Sequence, residues 1–242
     1  MRGVVCGRGL FRKDGLRMNQ VKNIAIDGPA GAGKSTIARM VSQRLGFLYV
    51  DTGALYRSIG VCALRNGVKT DDAKGVEALL PRVKVELKFV DGVQHVFLNG
   101  DDVSEEIRKP EASMAASNVS AIPAVRAFLF DLQREMAAQN NVVMDGRDIG
   151  TVVLPDADLK IFLTASPEER ARRRFNEMKD KGMDVEFGPL LEEIKQRDYN
   201  DSHRAIAPLK QAQDAVLVDT TENTLEESIA RVEALARERL GL

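Results

Sequence analysis

The stretch IAIDGPAGAGKST, residues 24–36, constrains this chain more than any other feature of its sequence. Within it, GPAGAGKS fits the pattern G-x-x-x-x-G-K-[ST], which has structural meaning only when a strand precedes it and a helix follows. Both conditions hold. Residues 24–27 are apolar up to one terminal carboxylate, and after Lys34 and Ser35 the residues Ile37, Met40, Val41 and Leu45 recur on one helical face until Gly46 stops the pattern. Gly28, Gly31 and Gly33 let the backbone N–H groups close around phosphate oxygens, and the helix N-terminus adds its positive dipole end. Gly28, Pro29, Ala30, Gly31, Ala32, Gly33, Lys34, Ser35 and Thr36 are therefore the expected seat of a nucleoside triphosphate. Lys34 would reach the β- and γ-phosphates, and Ser35 would ligate Mg2+.

The rest of the chain alternates short apolar runs with helical periodicity, the order that builds an α/β domain. Candidate strands are residues 24–27, 47–50, 142–145, 159–163 and 215–219, each nearly all apolar, as a parallel sheet covered on both faces requires. Between the second and third the pattern changes. VKVELKFV alternates with period two, Asp91 and Gly92 supply a hairpin turn, VQHVFL follows, and Asn99 and Gly100 supply another turn. This reads as an antiparallel insertion, followed by a helical stretch over residues 111–139. Two helix starts are marked: Ser166, Pro167 and Glu169 give a capping box with proline at the first helical position, and Thr224 with Glu227 repeats the box before the last helix.

Lys and Arg number 35 against 36 Asp and Glu, so a net charge of −1 gives no global pull toward nucleic acid or membrane. Any basic site must be local. No apolar run approaches the roughly 18 residues of a membrane span. Cys6 and Cys62 fit no metal-ligand spacing, which suggests a reduced, cytoplasmic chain with Cys62 in a helix core. At 242 residues, one domain with insertions is expected. Residues 1–20 are basic but lack the apolar segment of a secretory signal. They read as an extension outside the fold, with a transit-like peptide as the alternative, because Met18 opens MNQVKNIAID just before the first strand.

A bound triphosphate raises the question of what receives its phosphate. A guanine-reading GTPase would carry N-K-x-D late in the chain and a transporter ATPase an L-S-G-G-Q-like signature, and the sequence has neither. It has instead arginines and aspartates suited to a second anion, which points to a kinase. In VDTGALYRS, Asp51 and Thr52 leave the second strand, and Tyr56 and Arg57 lie about one helical turn on. In MDGRDIG, Asp145, Arg147 and Asp148 follow the third strand, at the carboxyl rim where α/β sheets bind ligands. In RDYNDSHRAIAPL, Arg197, Asp201 and Arg204 share one face if the helix runs that far, a spacing that equally makes an internal salt-bridge ladder. Arg170, Arg173 and Arg174 fall on one face after the Ser166 cap. They are either a solvated face, with Glu177 paired to Arg173 or Arg174, or a cationic lid continued by the polar KDKGMDVEFG.

From Lys22 to the C-terminus the sequence resembles the bacterial-type cytidylate kinases of the nucleoside monophosphate kinase family. The resemblance rests on GPAGAGKS, VDTGALYR, DGRDIGTVV with the PDA of residues 155–157, and RDYNDSHRAIAPL, in the family's order and spacing. It implies a P-loop kinase core with a five-stranded parallel sheet, residues 21–64 and 141–242. It also implies an inserted monophosphate-binding domain with a small antiparallel sheet at about 65–140, and a short lid at about 172–190. Implied with it are ATP as donor, Mg2+, and CMP and dCMP as acceptors that become CDP and dCDP. A monomer engaging neither nucleic acid nor membrane is expected.

The resemblance also implies roles. Lys34, Arg147, Arg173 and Arg174 would serve catalysis; Arg57, Arg147 and Arg204 look like the acceptor-phosphate clamp, with Asp145 in the same site and Tyr56, Arg197 and Asp201 around the ribose. Ser117, Arg126 and Asp148, with Thr52 nearby, would read the base, and without the family Ser117 and Arg126 would pass as ordinary helix members. The chemistry agrees, since cytosine presents an N4 amine to a carboxylate and O2 and N3 acceptors to Arg and Ser. A phosphomonoester, with its second pKa near roughly 6, is already an anionic nucleophile and needs no general base. His95 and His203, the only histidines, accordingly read as noncatalytic. Two other readings stay open: a kinase of another nucleoside monophosphate or of a small hydroxylated metabolite, and a noncatalytic nucleotide-dependent binding module.

Overall fold

A computed structural model describes residues 21–90 and 93–242. The expected extension at residues 1–20 and the Asp91–Gly92 turn lie outside the described residues. The elements run β1 (Asn23–Asp27), α1 (Lys34–Leu45), β2 (Leu48–Asp51), α2 (Thr52–Arg65), α3 (Ala73–Leu79), β3 (Val85–Val90), β4 (Val93–Leu98) and β5 (Asp101–Asp102). They continue with α4 (Pro110–Ser120), α5 (Pro123–Gln139), β6 (Val142–Gly146), β7 (Leu159–Thr164), α6 (Pro167–Asp180), α7 (Phe187–His203), β8 (Val216–Asp219) and α8 (Leu225–Leu240).

Two sheets follow. The larger has the order β2-β6-β1-β7-β8, and each of its pairings is parallel. Its strands match the five apolar runs within one residue at either end. The smaller, β3-β4-β5, is antiparallel and forms the expected insertion. Both faces of the large sheet are covered. Ile26, Ile37, Val41, Leu163 and Val232 fill the side toward α1 and α8, while Val50, Met144, Ile149 and Val153 fill the other. A separate apolar cluster joins the insertion to α2 through Leu55, Ile59, Val96, Val119 and Leu129. Thus α2 packs mainly against the insertion, through Leu55 and Ile59, while its first residue bonds to β6. Gly60 allows the close crossing of α2 and α4, because a Cβ there would sit 2.6 Å from Ala115 Cβ.

Three local expectations need correction. The helical stretch 111–139 is two helices: Pro123 disfavours helical geometry at Ile122, which is extended at φ −84° and ψ 119°, and α5 starts anew. The Ser166 cap is half a box, since its hydroxyl accepts from Glu169 N but the Glu169 carboxylate goes to Arg173 instead. Thr224 and Glu227 form the complete box. Finally, α7 stops at His203, so Arg204 is not a continuation of its face; it is extended at φ −63° and ψ 142°, and donates to Ala207 O. Gly46 ends α1 in the left-handed conformation and Cys62 is buried in α2, both as expected. Among the described residues, no helix is long and apolar enough to cross a membrane.

Candidate active site

Strands β1, β2 and β6 end in Asp27, Asp51 and Asp145–Gly146, and beyond their carboxyl ends lies a cleft of ≈ 660 Å3 bounded by the insertion, α6, α7 and the start of α8. Parallel α/β sheets bind ligands at this edge because loops from successive strands converge there.

On one side is the glycine-rich loop. Gly28 must lack a side chain, since a Cβ would meet Leu163 O at 1.9 Å, and Gly33 caps α1 at φ 87°. Lys34 is buried, with its ammonium donating to Pro29 O at 2.7 Å. Burial, and next the Arg147 guanidinium, holds its pKa well below that of an ordinary lysine. Among the described residues Lys34 makes no ion pair, and the nearby Asp145 and Asp27 carboxylates do not offset its burial, so a phosphate would complete it. The Ser35 hydroxyl, at the start of α1, donates to the Asp145 carboxylate at 2.8 Å, and Tyr49 donates to its other oxygen at 3.0 Å. Burial, with Asp51 nearby, pushes Asp145 up to about 6. A hydroxyl and an under-compensated carboxylate beside a phosphate loop are oxygen donors that fit Mg2+, which takes few protein ligands and completes its octahedron with phosphates and water.

The opposite side carries the arginines. Asp51 caps α2 by accepting from Ala54 N, and it also accepts from Arg57 at 2.7 Å. The Thr52 hydroxyl donates to Asp145 O at 2.7 Å, tying α2 to β6. Arg147 donates to Asp201 at 2.8 Å. Asp148 accepts from two elements distant in sequence, Arg126 of α5 and, at 3.2 Å, Arg204 beyond α7. The Arg126 guanidinium lies 5.9 Å from the centre of the Tyr56 ring. Ser117 lines the cleft from α4, brought near Arg126 of α5 by the break at Ile122. Arg57 Nε, Arg126 Nη1 and Arg197 Nε are buried without a hydrogen-bond partner among the described residues. Burial, and next Arg147, lowers Arg197 to about 10, and burial likewise lowers Arg204.

Every residue expected to meet the acceptor lines this cleft: Thr52, Tyr56, Arg57, Ser117, Arg126, Asp145, Arg147, Asp148, Arg197, Asp201 and Arg204. The three lid arginines part company. Arg173 lines the cleft and donates to Thr220 O and Glu169. Arg174 pairs with Glu193 of α7, at 2.9 Å, and Glu177 pairs with Lys181 rather than with either arginine. Arg170 is buried at 2% exposure behind the loop, so it is not a lid cation. His95 pairs with Asp102 and His203 stacks on Tyr199, and neither lines the cleft.

Sequence reasoning missed Asp27, whose two oxygens accept from Ile149 N and Gly150 N at 2.7 Å each and so fix the turn that carries Asp148. Its signal was a carboxylate ending an otherwise apolar strand. Gln133, buried in the cleft wall and donating to Leu129 O, carried no signal distinct from a surface helix residue.

Residues 24–238 match the family model described as cytidylate kinase. Among curated relatives, a cytidylate kinase of Caldicellulosiruptor bescii is 54% identical over 87% of this chain and 93% of its own length. One from Pelotomaculum thermopropionicum is 53% identical over 91% of this chain and 100% of its own length. One from Lactobacillus johnsonii is 46% identical over 95% of this chain and 99% of its own length.

Proposed function

The chain belongs to the cytidylate kinase family, and we propose that this cleft is where it transfers the terminal phosphoryl group of ATP to the phosphate of CMP or dCMP, giving CDP or dCDP. The observation that carries the reading is the set of buried arginine nitrogens without protein partners, on Arg57, Arg126 and Arg197, in the wall opposite Lys34. Unpaired buried donors are costly unless a ligand completes them. A nucleoside monophosphate supplies the acceptors.

The residues divide by the charge they meet. Backbone N–H groups of residues 30–36 hold the ATP phosphates, and Lys34 leaves Pro29 O to follow them. Ser35, with Asp145 behind it, would hold Mg2+, which would supply charge neutralisation for the transferring phosphoryl group. Arg57, Arg147 and Arg204 clamp the acceptor phosphate in the bidentate manner that guanidinium permits. Tyr56, Arg197 and Asp201 surround the ribose. Asp148 accepts from the cytosine N4 amine, and Arg126 and Ser117 serve its O2 and N3. Thr52 positions this wall by its bond to β6.

An acceptor phosphate oxygen, already anionic, attacks the γ-phosphorus; the bond to the β–γ bridging oxygen breaks and ADP leaves. No protein base is needed. Arg173, with Arg174 moving in from Glu193 as residues 172–190 close, adds positive charge where the phosphoryl group passes. The test is ADP release by the purified chain across a panel of nucleoside monophosphates and hydroxylated metabolites. Turnover confined to CMP and dCMP supports the reading; preference for another acceptor, or ATP binding without turnover, defeats it.

A further inference from the structure

Arg170 lies at the join between the two halves of this site, although it lines neither substrate's wall in the way the other arginines do. Its position follows from the Ser166 cap, which starts α6 so that Arg170, one turn in, points back under the glycine-rich loop. The packing there is close: a Cβ on Gly31 would touch Arg170 Cβ at 3.4 Å. The guanidinium is buried and makes four hydrogen bonds. Nε donates to Ala165 O at 2.9 Å, Nη1 donates to Ala30 O and to the Asp198 carboxylate at 3.0 Å each, and Nη2 donates to the second Asp198 oxygen at 2.5 Å.

Each partner belongs to a different part of the machinery. Ala30 is in the phosphate loop, and because a trans peptide sets its C=O and N–H on opposite sides, holding the Ala30 carbonyl turns the Gly31 N–H away from Arg170. Asp198 is on α7, between Arg197 and Asp201, which stand on the acceptor side, and Asp201 in turn holds Arg147. One planar fork therefore fixes a loop peptide of the donor side and the helix that carries acceptor-side residues. A lysine could satisfy the charge but not both directions.

We propose that Arg170 is a positioning residue that couples the two nucleotide subsites, its clasp on Ala30 O and Asp198 making occupancy of the phosphate loop organise the α7 side for the monophosphate, and the reverse. This rests on the proposed kinase reading. By linkage the effect is reciprocal: a donor nucleotide tightens the monophosphate by the same factor as the monophosphate tightens the donor.

The experiment is calorimetric titration of CMP into the full chain with and without a nonhydrolysable ATP analogue and Mg2+, repeated on Arg170→Lys and Asp198→Asn, with steady-state kinetics and thermal melts on each. The expected result is an affinity gain of about fivefold or more in the parent. That gain falls toward unity in both variants and kcat falls about tenfold, while CMP affinity without the analogue changes little. A merely structural pair would lower the melting temperature and leave the gain intact in folded protein, which overturns the proposal. Equal CMP affinities with and without the analogue in the parent chain also overturn it, and that measurement needs no variant to fold. Failure of the kinase reading looks different: the parent chain would not turn over CMP at all.

Discussion

Asp148→Asn tests how the site chooses its base. The Asp148 carboxylate is almost fully enclosed, with one oxygen accepting from Arg126 and the other from Arg204. Cytosine offers its N4 amine to such a carboxylate, whereas uracil would turn its O4 acceptor toward it, and two facing acceptors repel. Asparagine keeps the shape but can present either oxygen or NH2, so it relieves the clash with UMP while weakening the contact to CMP. A base-edge contact of this kind discriminates by about 1–3 kcal/mol, so the CMP-to-UMP ratio of kcat/KM should fall roughly tenfold or more. The structure adds a second effect. Asparagine cannot accept fully from two arginines, and a charged hydrogen bond contributes about 1.5–3 kcal/mol. Arg126 and Arg204 then face each other with less compensation, and KM should rise for both nucleotides. The assay is steady-state kinetics on CMP and UMP at saturating MgATP, with a thermal melt to show that the variant is folded. A folded variant with the parent ratio and a raised KM for both would refute the base assignment and leave Asp148 as a brace for two arginines, with the choice of cytosine falling to Ser117 and Arg126.

Lys34→Ala should abolish most phosphoryl transfer while CMP affinity, read by calorimetry, stays near the parent value; loss of CMP binding would contradict the division of labour in the cleft. Asp201→Ala frees Arg147 and should lower kcat/KM for CMP and dCMP with little change in ATP affinity, and unchanged kinetics would make the Arg147–Asp201 pair a buried structural salt bridge only. Asp27 gives a pH prediction. Burial raises its pKa from 3.8 to about 6, so the folded state holds the proton more tightly than the unfolded one. Stability from this group is therefore greatest below 3.8 and falls as pH rises to about 6, by about 3 kcal/mol in all. Urea melts should show the stability of the parent relative to Asp27→Asn shrinking between pH 4 and pH 7; a difference that grows over that range refutes the sign.

The parallel strands were legible because a doubly covered strand must be an apolar run, and Ile24, Ala25 and Ile26 or Val142, Val143 and Met144 have no polar face to hide among. The loop was legible because its chemistry is local: strand, glycines, Lys34 and helix are contiguous. What the sequence obscured was long-range. Nothing near Asp148 announces that Arg126 and Arg204 both reach it, and helical spacing left open whether the helix runs as far as Arg204, where the backbone in fact turns out of α7 to bring it there. The same limit applies to Arg170, Arg173 and Arg174. They share a sequence pattern, but their partners sort them into a buried clasp on Ala30 O, a cleft residue on Thr220 O and a partner of Glu193. The break at Ile122 was visible in principle from Pro123, yet periodicity on both sides masked it.

The order β2-β6-β1-β7-β8 has a consequence for how the chain becomes a protein. The first two strands made, β1 and β2, are not neighbours; β6 lies between them and pairs with both, Asn23 with Val142 and Leu48 with Val142. Ribosomal synthesis proceeds from the N-terminus at roughly 5–20 residues per second, so both strands emerge and wait without their shared partner while α2, the small sheet, α4 and α5 are produced as one uninterrupted segment with its own apolar cluster. Closing the loop from β1 to β6 is costly in entropy when the intervening chain is loose and cheaper once it has compacted. The large sheet therefore cannot close until β6 has been made, and a compact insertion would lower the entropy cost of bringing β6 between β1 and β2.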